Sequence, residues 1–319
     1  SSRYDGSSRF TGDNLYGYFP SFSAGWRVSE ENFWNSSIKN LINDFKVRGS
    51  WGETGNQQID LYSFYRTLAS RGYIIDGSFT TGYTQTDLAN QDISWETTTQ
   101  INLGFDAYFF NNKYSLSFDY YHKKTEDILL LLPVPSIIGL NPSYQNAGRV
   151  DNKGYEILLN VHQQFNEVRF DATFQLSYNK NEVINLAGTG PYIIGNVEER
   201  KIIAEGYPVN TFWGYVADGY FQTEEELASY PTLRSNWGIG DVKYVDLNND
   251  GKITADDMTD IGSTFPKYIG STTFNLAYKG FELNLLFQAV AGIDARVGGA
   301  IAEMGIWEGF TVKDLENNY

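Results

Sequence analysis

Apolar and polar residues alternate for twelve positions from Val168 to Asn179. Val168, Phe170, Ala172, Phe174, Leu176 and Tyr178 stand against Arg169, Asp171, Thr173, Gln175, Ser177 and Asn179. A period of two predicts a strand with one apolar face. Twelve residues at ~3.3 Å rise give ~40 Å, which at ~45° tilt covers ~28 Å, the height of the apolar band that a membrane-spanning strand must cross. The pattern recurs. Ile101, Leu103, Phe105, Ala107 and Phe109 alternate with Asn102, Gly104, Asp106 and Tyr108, and Tyr114, Leu116, Phe118 and Tyr120 with Ser115, Ser117, Asp119 and Tyr121. Between them Asn111 and Asn112 tolerate positive φ, which predicts a two-residue primed turn. Tyr155, Ile157, Leu159 and Val161 lead through Asn166 and Glu167 into Val168. Phe274, Leu276 and Tyr278 turn at Lys279-Gly280 and return along Phe281, Leu283, Leu285, Phe287 and Ala289. Two weaker strands carry Tyr16, Tyr18, Phe22, Ala24, Trp26 and Val28, then Phe45, Val47, Gly49 and Trp51. Pro20 predicts a bulge or frayed position in the first of these.

The connections between these hairpins are of another kind. Gly52 to Thr97, His122 to Gly154 and Lys180 to Lys267 are long, polar and rich in Gly, Asn, Asp and Tyr. Short turns therefore alternate with long loops, the asymmetry of an all-β, antiparallel up-and-down transmembrane β-barrel. A soluble β-sandwich alternates too, but has no reason to place its long loops on one side. The up-and-down order puts residues 1–15 and 290–319 on the long-loop side and requires zero or two further strands between Lys180 and Lys267. Both chain ends in external loops point to a segment of a larger barrel, with residues 1–319 read as one partial barrel domain.

Composition narrows this picture. Mean hydropathy is −0.38, and no run approaches the ~18 apolar residues of a membrane helix. Barrel strands escape such averages because every second residue is polar. A formal charge of −15 without a Lys/Arg cluster excludes phosphate-backbone binding, so no nucleic acid is expected. Zero cysteines exclude disulfides and thiolate chemistry. No secretion signal opens the chain at Ser1, which again suggests a missing N-terminal portion. Aromatic residues make up 16%, enough for interfacial girdles and equally for a carbohydrate-binding surface.

Candidate chemistry concentrates in one loop. Asp246, Asn248, Asp250, Gly251, Lys252 and Asp257 occupy positions 1, 3, 5, 6, 7 and 12 of a calcium-type loop. Ca²⁺ takes six to eight oxygens, and here the side chains of Asp246, Asn248, Asp250 and Asp257 and the Lys252 carbonyl would supply them, Thr254 acting through water. An Asx-rich turn is the plainer account. The pattern departs from the EF-hand in closing with Asp257 rather than Glu, as dockerin-type loops do. The expected ion is structural. His122 and His162 each end a predicted strand and sit in no nucleophile motif, and no carboxylate pair singles itself out, so no enzyme is expected. Gly298 and Gly299 lack the setting of a phosphate loop. Trp213, Trp237 and Trp307, with Tyr62 and Tyr65, lie in predicted loops, where exposed rings stack on ligands or clamp their own loops.

Several stretches in order resemble one family. Leu88 to Thr97 with Asn102, Gly104 and Asp106, Ser117 to Tyr121, Thr125 to Asp127, Asn146 to Gly148, Asn152 to Glu156, Glu205 to Pro208, Gly214-Tyr215 and Asp218 to Gln222 are similar to SusC/RagA-type TonB-dependent outer-membrane transporters. Gly6 to Phe10, Phe19 to Ser21 and Gly25 to Arg27 match as well. Gln91 stands where the family tends to have Pro. The resemblance implies a 22-stranded barrel, of which this alternation supplies roughly eight to ten strands. The plug and the strands that close the barrel are not seen. It implies outer-membrane lipid around the wall and import of oligosaccharides or peptides under a SusD-like surface lipoprotein, energised by TonB-ExbB-ExbD through the absent N-terminal part. The alternative from the residues alone is a secreted, calcium-braced β-sandwich that binds carbohydrate.

Overall fold

The computed structural model describes residues 1–132, 134–195 and 200–296. The eight alternating segments and one further short strand make nine: β1 (Ser2–Gly6), β2 (Tyr16–Arg27), β3 (Ile42–Asn56), β4 (Glu96–Phe109), β5 (Tyr114–Glu126), β6 (Arg149–Phe165), β7 (Val168–Asn185), β8 (Tyr268–Tyr278) and β9 (Phe281–Ala291). They lie in one sheet in chain order, each antiparallel to the next. This is the up-and-down order of a barrel wall, and it replaces the two packed sheets of the sandwich alternative. β7 pairs directly with β8, Val168 opposite Tyr278, so the long connection between them adds no strand to this sheet. β1 and β9 are its edges. Among the described residues no helix is long and apolar enough to cross a membrane.

The differences from the sequence expectation have local causes. Residues 1–15, expected in an external loop, contain β1, where Ser2 to Gly6 pair with Pro20 to Tyr16. Five residues with one ring among them show no alternation to read. Pro20 sits where β2 changes neighbours: its residues up to 20 pair with β1, and from Ser21 onward they pair with β3. The turn at Asn111 and Asn112 is longer than expected. Phe109 pairs with Tyr114, and Phe110, Asn111 and Asn112 are all left-handed at φ 51, 57 and 63. The Asn43 carboxamide oxygen holds this loop by accepting from the Asn111 and Asn112 amides at 2.6 and 3.3 Å. The other turns have two residues, with Asn166 at φ 52 in one and Lys279 and Gly280 at φ 46 and 84 in the other. His122 and His162 lie inside β5 and β6 rather than at strand ends. These ladders run on past the alternating stretch through polar residues such as Lys123, Lys124 and Asn152, because backbone pairing does not need an apolar face once water replaces lipid.

One face of the sheet carries a continuous row of rings. Trp34, Phe45, Phe105, Phe118, Tyr155, Tyr178 and Tyr268 follow one another with centroid spacings of 5.9, 5.8, 5.7, 6.5, 5.1 and 5.0 Å. All but Trp34 belong to the apolar set of their strands, so the row is a direct consequence of register. Above β2 to β4, Phe10, Phe19, Ile59, Phe64, Ile93 and Trp95 form a separate buried cluster that ties the loops to the strands.

The chain folds as two compact units. Of the described residues, the first holds the sheet and comprises those within 1–192, 203–209 and 267–291; the second comprises 193–195, 200–202, 210–266 and 292–296. Within the second, Thr211–Gly214 is an interior strand flanked by Lys201–Ile203 and Thr259–Ser263, and Ala217–Tyr220 pairs with Val242–Tyr244. A short helix, Glu224–Ser229, begins at Thr223, whose hydroxyl accepts the Glu226 amide at 3.2 Å.

Candidate functional site

The polar face of the sheet is built around glycines. Arg48, Gly104 and Asp119 occupy one row across β3, β4 and β5. A Cβ on Gly104 would meet Asp119 Oδ1 at 2.3 Å. The missing side chain lets Arg48 cross β4 and donate to Asp119 at 2.8 and 2.7 Å, while it also donates to Asp106 at 2.8 and 3.1 Å. Ser117 Oγ donates to the same Asp106 at 2.8 Å. Gly154 repeats the device: Tyr121 lies across it and its hydroxyl donates to Asn179 at 3.1 Å. Beside Arg48, Ser23, Gly25, Lys46 and Asn102 border a cleft of about 320 Å³. Arg48, Asp106 and Asp119 are thus matched to one another, with bidentate Arg geometry that fixes the side chains rather than leaving them to solvent.

The two histidines are also held by carboxylates. His122 Nε2 lies 2.8 Å from Asp151, which also receives Arg149 at 2.8 and 3.0 Å, and His162 Nδ1 lies 2.8 Å from Asp171.

A cavity of about 490 Å³ opens within the second unit. Phe212, Trp213, Tyr215 and Tyr244 supply rings, and Arg200 and Arg296 supply charge. A bulge shapes this wall: Phe212 pairs with Gly262 and Trp213 with Asp260, which makes Ile261 the extra residue. Gly262 is at φ 149, and a Cβ there would strike Asp294 at 2.7 Å. Asp294 is locked in that place, its amide donating to the Ser263 carbonyl at 2.7 Å and its carboxylate accepting the Ser263 amide at 2.9 Å. Arg200 Nη1 donates to Met258 Sδ at 2.8 Å. Burial pushes the Tyr215 phenol up, with Arg200 opposing and Asp257 reinforcing the shift.

The acidic loop lies in the same unit. Asp246 accepts the Asp250 and Gly251 amides at 3.2 and 2.8 Å, Asn248 Oδ1 accepts the Asp250 amide at 2.9 Å, and Asp250 accepts the Lys252 amide at 2.8 Å. Gly251 is left-handed at φ 79. Asp257 is fully buried and accepts Leu247 at 2.9 Å and Thr254 at 2.7 Å. Those amides, Thr254 first, hold its carboxyl below the ordinary range against the opposing effect of burial. Among the described residues no three His, Cys, Asp or Glu side chains are grouped closely enough to hold a metal ion. The donor chemistry is oxygen only, which suits a hard cation, and each carboxylate that accepts an amide keeps lone pairs for another partner.

The candidate residues thus separate. Trp213 borders the cavity. Trp237 packs its ring against Phe221 at 6.5 Å and Tyr244 at 5.7 Å, behind the cavity wall. Tyr62 and Tyr65 belong to the first unit, 6.4 Å from each other and exposed, with Tyr65 4.3 Å from Phe64. Trp307 lies outside the described residues. Sequence reasoning missed Arg200, Tyr215, Tyr244 and Asp294. Tyr215 was within reach, since Trp213 and Tyr215 stand two apart in an extended stretch; Arg200 and Asp294 are brought in from far along the chain and leave no local pattern.

A family model described as TonB dependent receptor-like, beta-barrel, matches residues 1–298. The chain is 33% identical to the TonB-dependent receptor P3 of Formosa agariphila, over 99% of this chain and 32% of that protein. It is 28% identical to the TonB-dependent receptor SusC of Bacteroides thetaiotaomicron, over 90% and 29% respectively. Among solved structures, the RagAB peptide transporter superposes with a TM-score of 0.75 at 26% identity, covering 92% of this chain and 31% of that one. The chain spans about a third of the length of the curated relatives it matches.

Proposed function

This chain belongs to the TonB-dependent receptor-like β-barrel family, an outer-membrane fold, and we propose from that premise that it forms part of the wall of an energised importer of oligosaccharides or peptides. The observation that carries this is the contrast between the two faces of the sheet. The row of rings from Phe45 to Tyr268 suits lipid and its interfaces. The opposite face ties Arg48, Asp106 and Asp119 into a rigid, matched array that suits a filled lumen rather than an open channel. In this reading a plug and the TonB-ExbB-ExbD contact come from the N-terminal part of the transporter. A SusD-like lipoprotein covers the long loops, and transport makes and breaks no covalent bond. Within the second unit Trp213 is the ring we assign to ligand; within the first, Tyr62 and Tyr65 are exposed and are assigned to ligand on their own account. Uptake of a labelled oligosaccharide or peptide pool by cells carrying the full transporter tests this. Uptake should collapse when the proton gradient is dissipated, whereas equal uptake with and without the gradient would identify a passive pore.

We propose also that residues 246–257 take a structural Ca²⁺. Asp246, Asn248, Asp250, the Lys252 carbonyl and Asp257 are its donors, and the ion would brace the loop without entering transport. Calorimetric titration of the purified transporter with Ca²⁺ checks it: saturable heat that Asp250→Ala removes is expected, and a flat titration refutes it.

A further inference from the structure

The cavity around Trp213 has a chemistry of its own. In a chain of formal charge −15, two arginines, Arg200 and Arg296, and one aspartate, Asp294, border the same space as a set of aromatic rings. That aspartate is engaged by the Ser263 amide. Rings beside guanidinium groups recognise a ligand that joins an apolar flat face to an anion. We propose that this cavity is a subsite for an acidic sugar residue of an oligosaccharide, its pyranose face against Trp213 and its anionic group on Arg200 and Arg296. The inference rests on the import reading and narrows its substrate class.

The size of the cavity admits a sugar, and its wall disfavours a peptide. At about 490 Å³ the space is of a size to hold a short glycan segment. Thr211–Gly214, which forms the wall, is paired on both sides, and the edge strand Thr259–Ser263 beside it is broken by the bulge at Ile261 and engaged at Ser263 by Asp294, which disfavours addition of a peptide backbone. An acidic pyranose also carries ring face and anion on one compact unit, matching rings and arginines around one space. The wall is built rather than incidental: the bulge at Ile261, the close approach at Gly262 and the Asp294 bonds to Ser263 all fix the segment that carries Arg296.

The test is equilibrium binding to the full-length purified transporter in detergent, read by tryptophan fluorescence. The probes are a galacturonic acid trimer, a sulfated galactose trimer, an uncharged galactose trimer and a tripeptide with two aspartates. At least one acidic trimer should bind saturably and at least roughly tenfold more tightly than the uncharged one, since a charge-assisted contact is at stake. Which acidic trimer binds separates carboxylate from sulfate as the anion. Arg200→Gln should erase most of that preference, and Arg296→Gln, on a different segment, does so independently if the first variant fails to fold. Equal binding of charged and uncharged trimers, preference for the tripeptide, or full retention of the preference in a folded arginine variant would each overturn the proposal. Binding needs no energy source. Gradient-dependent uptake without acidic preference therefore refutes only the subsite, and acidic binding without gradient-dependent uptake refutes only the import reading.

Discussion

The sheet and the unit inserted between β7 and β8 bury opposite things. On the sheet's apolar face Phe22 is 69% exposed and Leu103 57%, while the polar Asn181 on the other face is 7% exposed. In the second unit Phe221 is fully buried beneath Tyr230 and Trp237, and the charged Glu224 and Glu225 are exposed. The second unit follows the ordinary rule of a protein in water. The sheet inverts it, which makes sense only if something apolar covers the rings and something polar fills the opposite side. Glycine serves two purposes in the molecule. Gly104 and Gly154 in the sheet provide space for a neighbour's side chain, whereas Gly251 in the acidic loop has nothing within 4 Å and provides a left-handed turn.

The largest effect should come from charging the face assigned to lipid. Phe174, between Leu159 and Thr272 in register, lies in the middle of the alternating stretch of β7. Phe174→Arg should destabilise the barrel by ~2–4 kcal/mol, the cost of a midplane Arg, read as a lower temperature for loss of the compact, heat-modifiable band of the full transporter. Unchanged stability in bilayers would remove the lipid-facing assignment. Next comes Gly154→Ala. Its Cβ would stand 2.1 Å from the Tyr178 carbonyl oxygen and 2.6 Å from the Tyr121 hydroxyl. Forcing these apart should cost ~1–3 kcal/mol in the same assay, and Tyr121→Phe, which removes only the hydroxyl, should restore little of it because the carbonyl remains.

A smaller penalty is expected for Gly251→Ala. The space is empty, so only the φ of 79 is at issue, and a left-handed non-glycine residue costs roughly 1 kcal/mol or slightly more. The effect should be confined to the loop: faster proteolysis near residue 251 with the heat-modifiable band unmoved. A loss of barrel stability as large as that of Gly154→Ala would erase the distinction between space-giving and turn-giving glycines.

The same contrast explains what was legible in the sequence. Wherever a strand separates lipid from lumen, its side chains must alternate, so β4 to β9 announce themselves and register follows from the hairpin turns. β1 has no such obligation, and neither have the polar extensions of β5 and β6 beyond the membrane, where only the backbone pairs. The left-handed Phe110 was hidden because its support, Asn43, is far away in sequence. In the second unit the acidic loop was readable, since its side chains serve amides two to five residues on or a few residues back. The cavity was not, because Arg200, Trp213, Tyr244 and Asp294 meet only through the tertiary fold.

The smallest effect expected is one of pH, and it bears on how polar groups are satisfied in the two regions. On the sheet's polar face carboxylates are held by side chains of neighbouring strands, as Asp106 is by Arg48 and Ser117. Asp257 instead serves the loop's own backbone, accepting Leu247 and Thr254. Its carboxyl is held below the ordinary value in the folded chain. A depressed native value means the contribution is complete above the unfolded pKa of about 3.9 and is lost as pH falls through the lower folded value. Amide exchange of Leu247 and Thr254, corrected for intrinsic rates, should therefore show constant protection from neutrality down to about pH 4 and decline below it. Asp257→Asn should flatten that decline while keeping the shape of the side chain. Protection in β7 should persist over the same range, because its amides are paired in a ladder on both sides. Parallel loss of protection in β7 and the loop would mean that acid unfolds the whole chain, and that the two regions do not differ in how their polar groups are held.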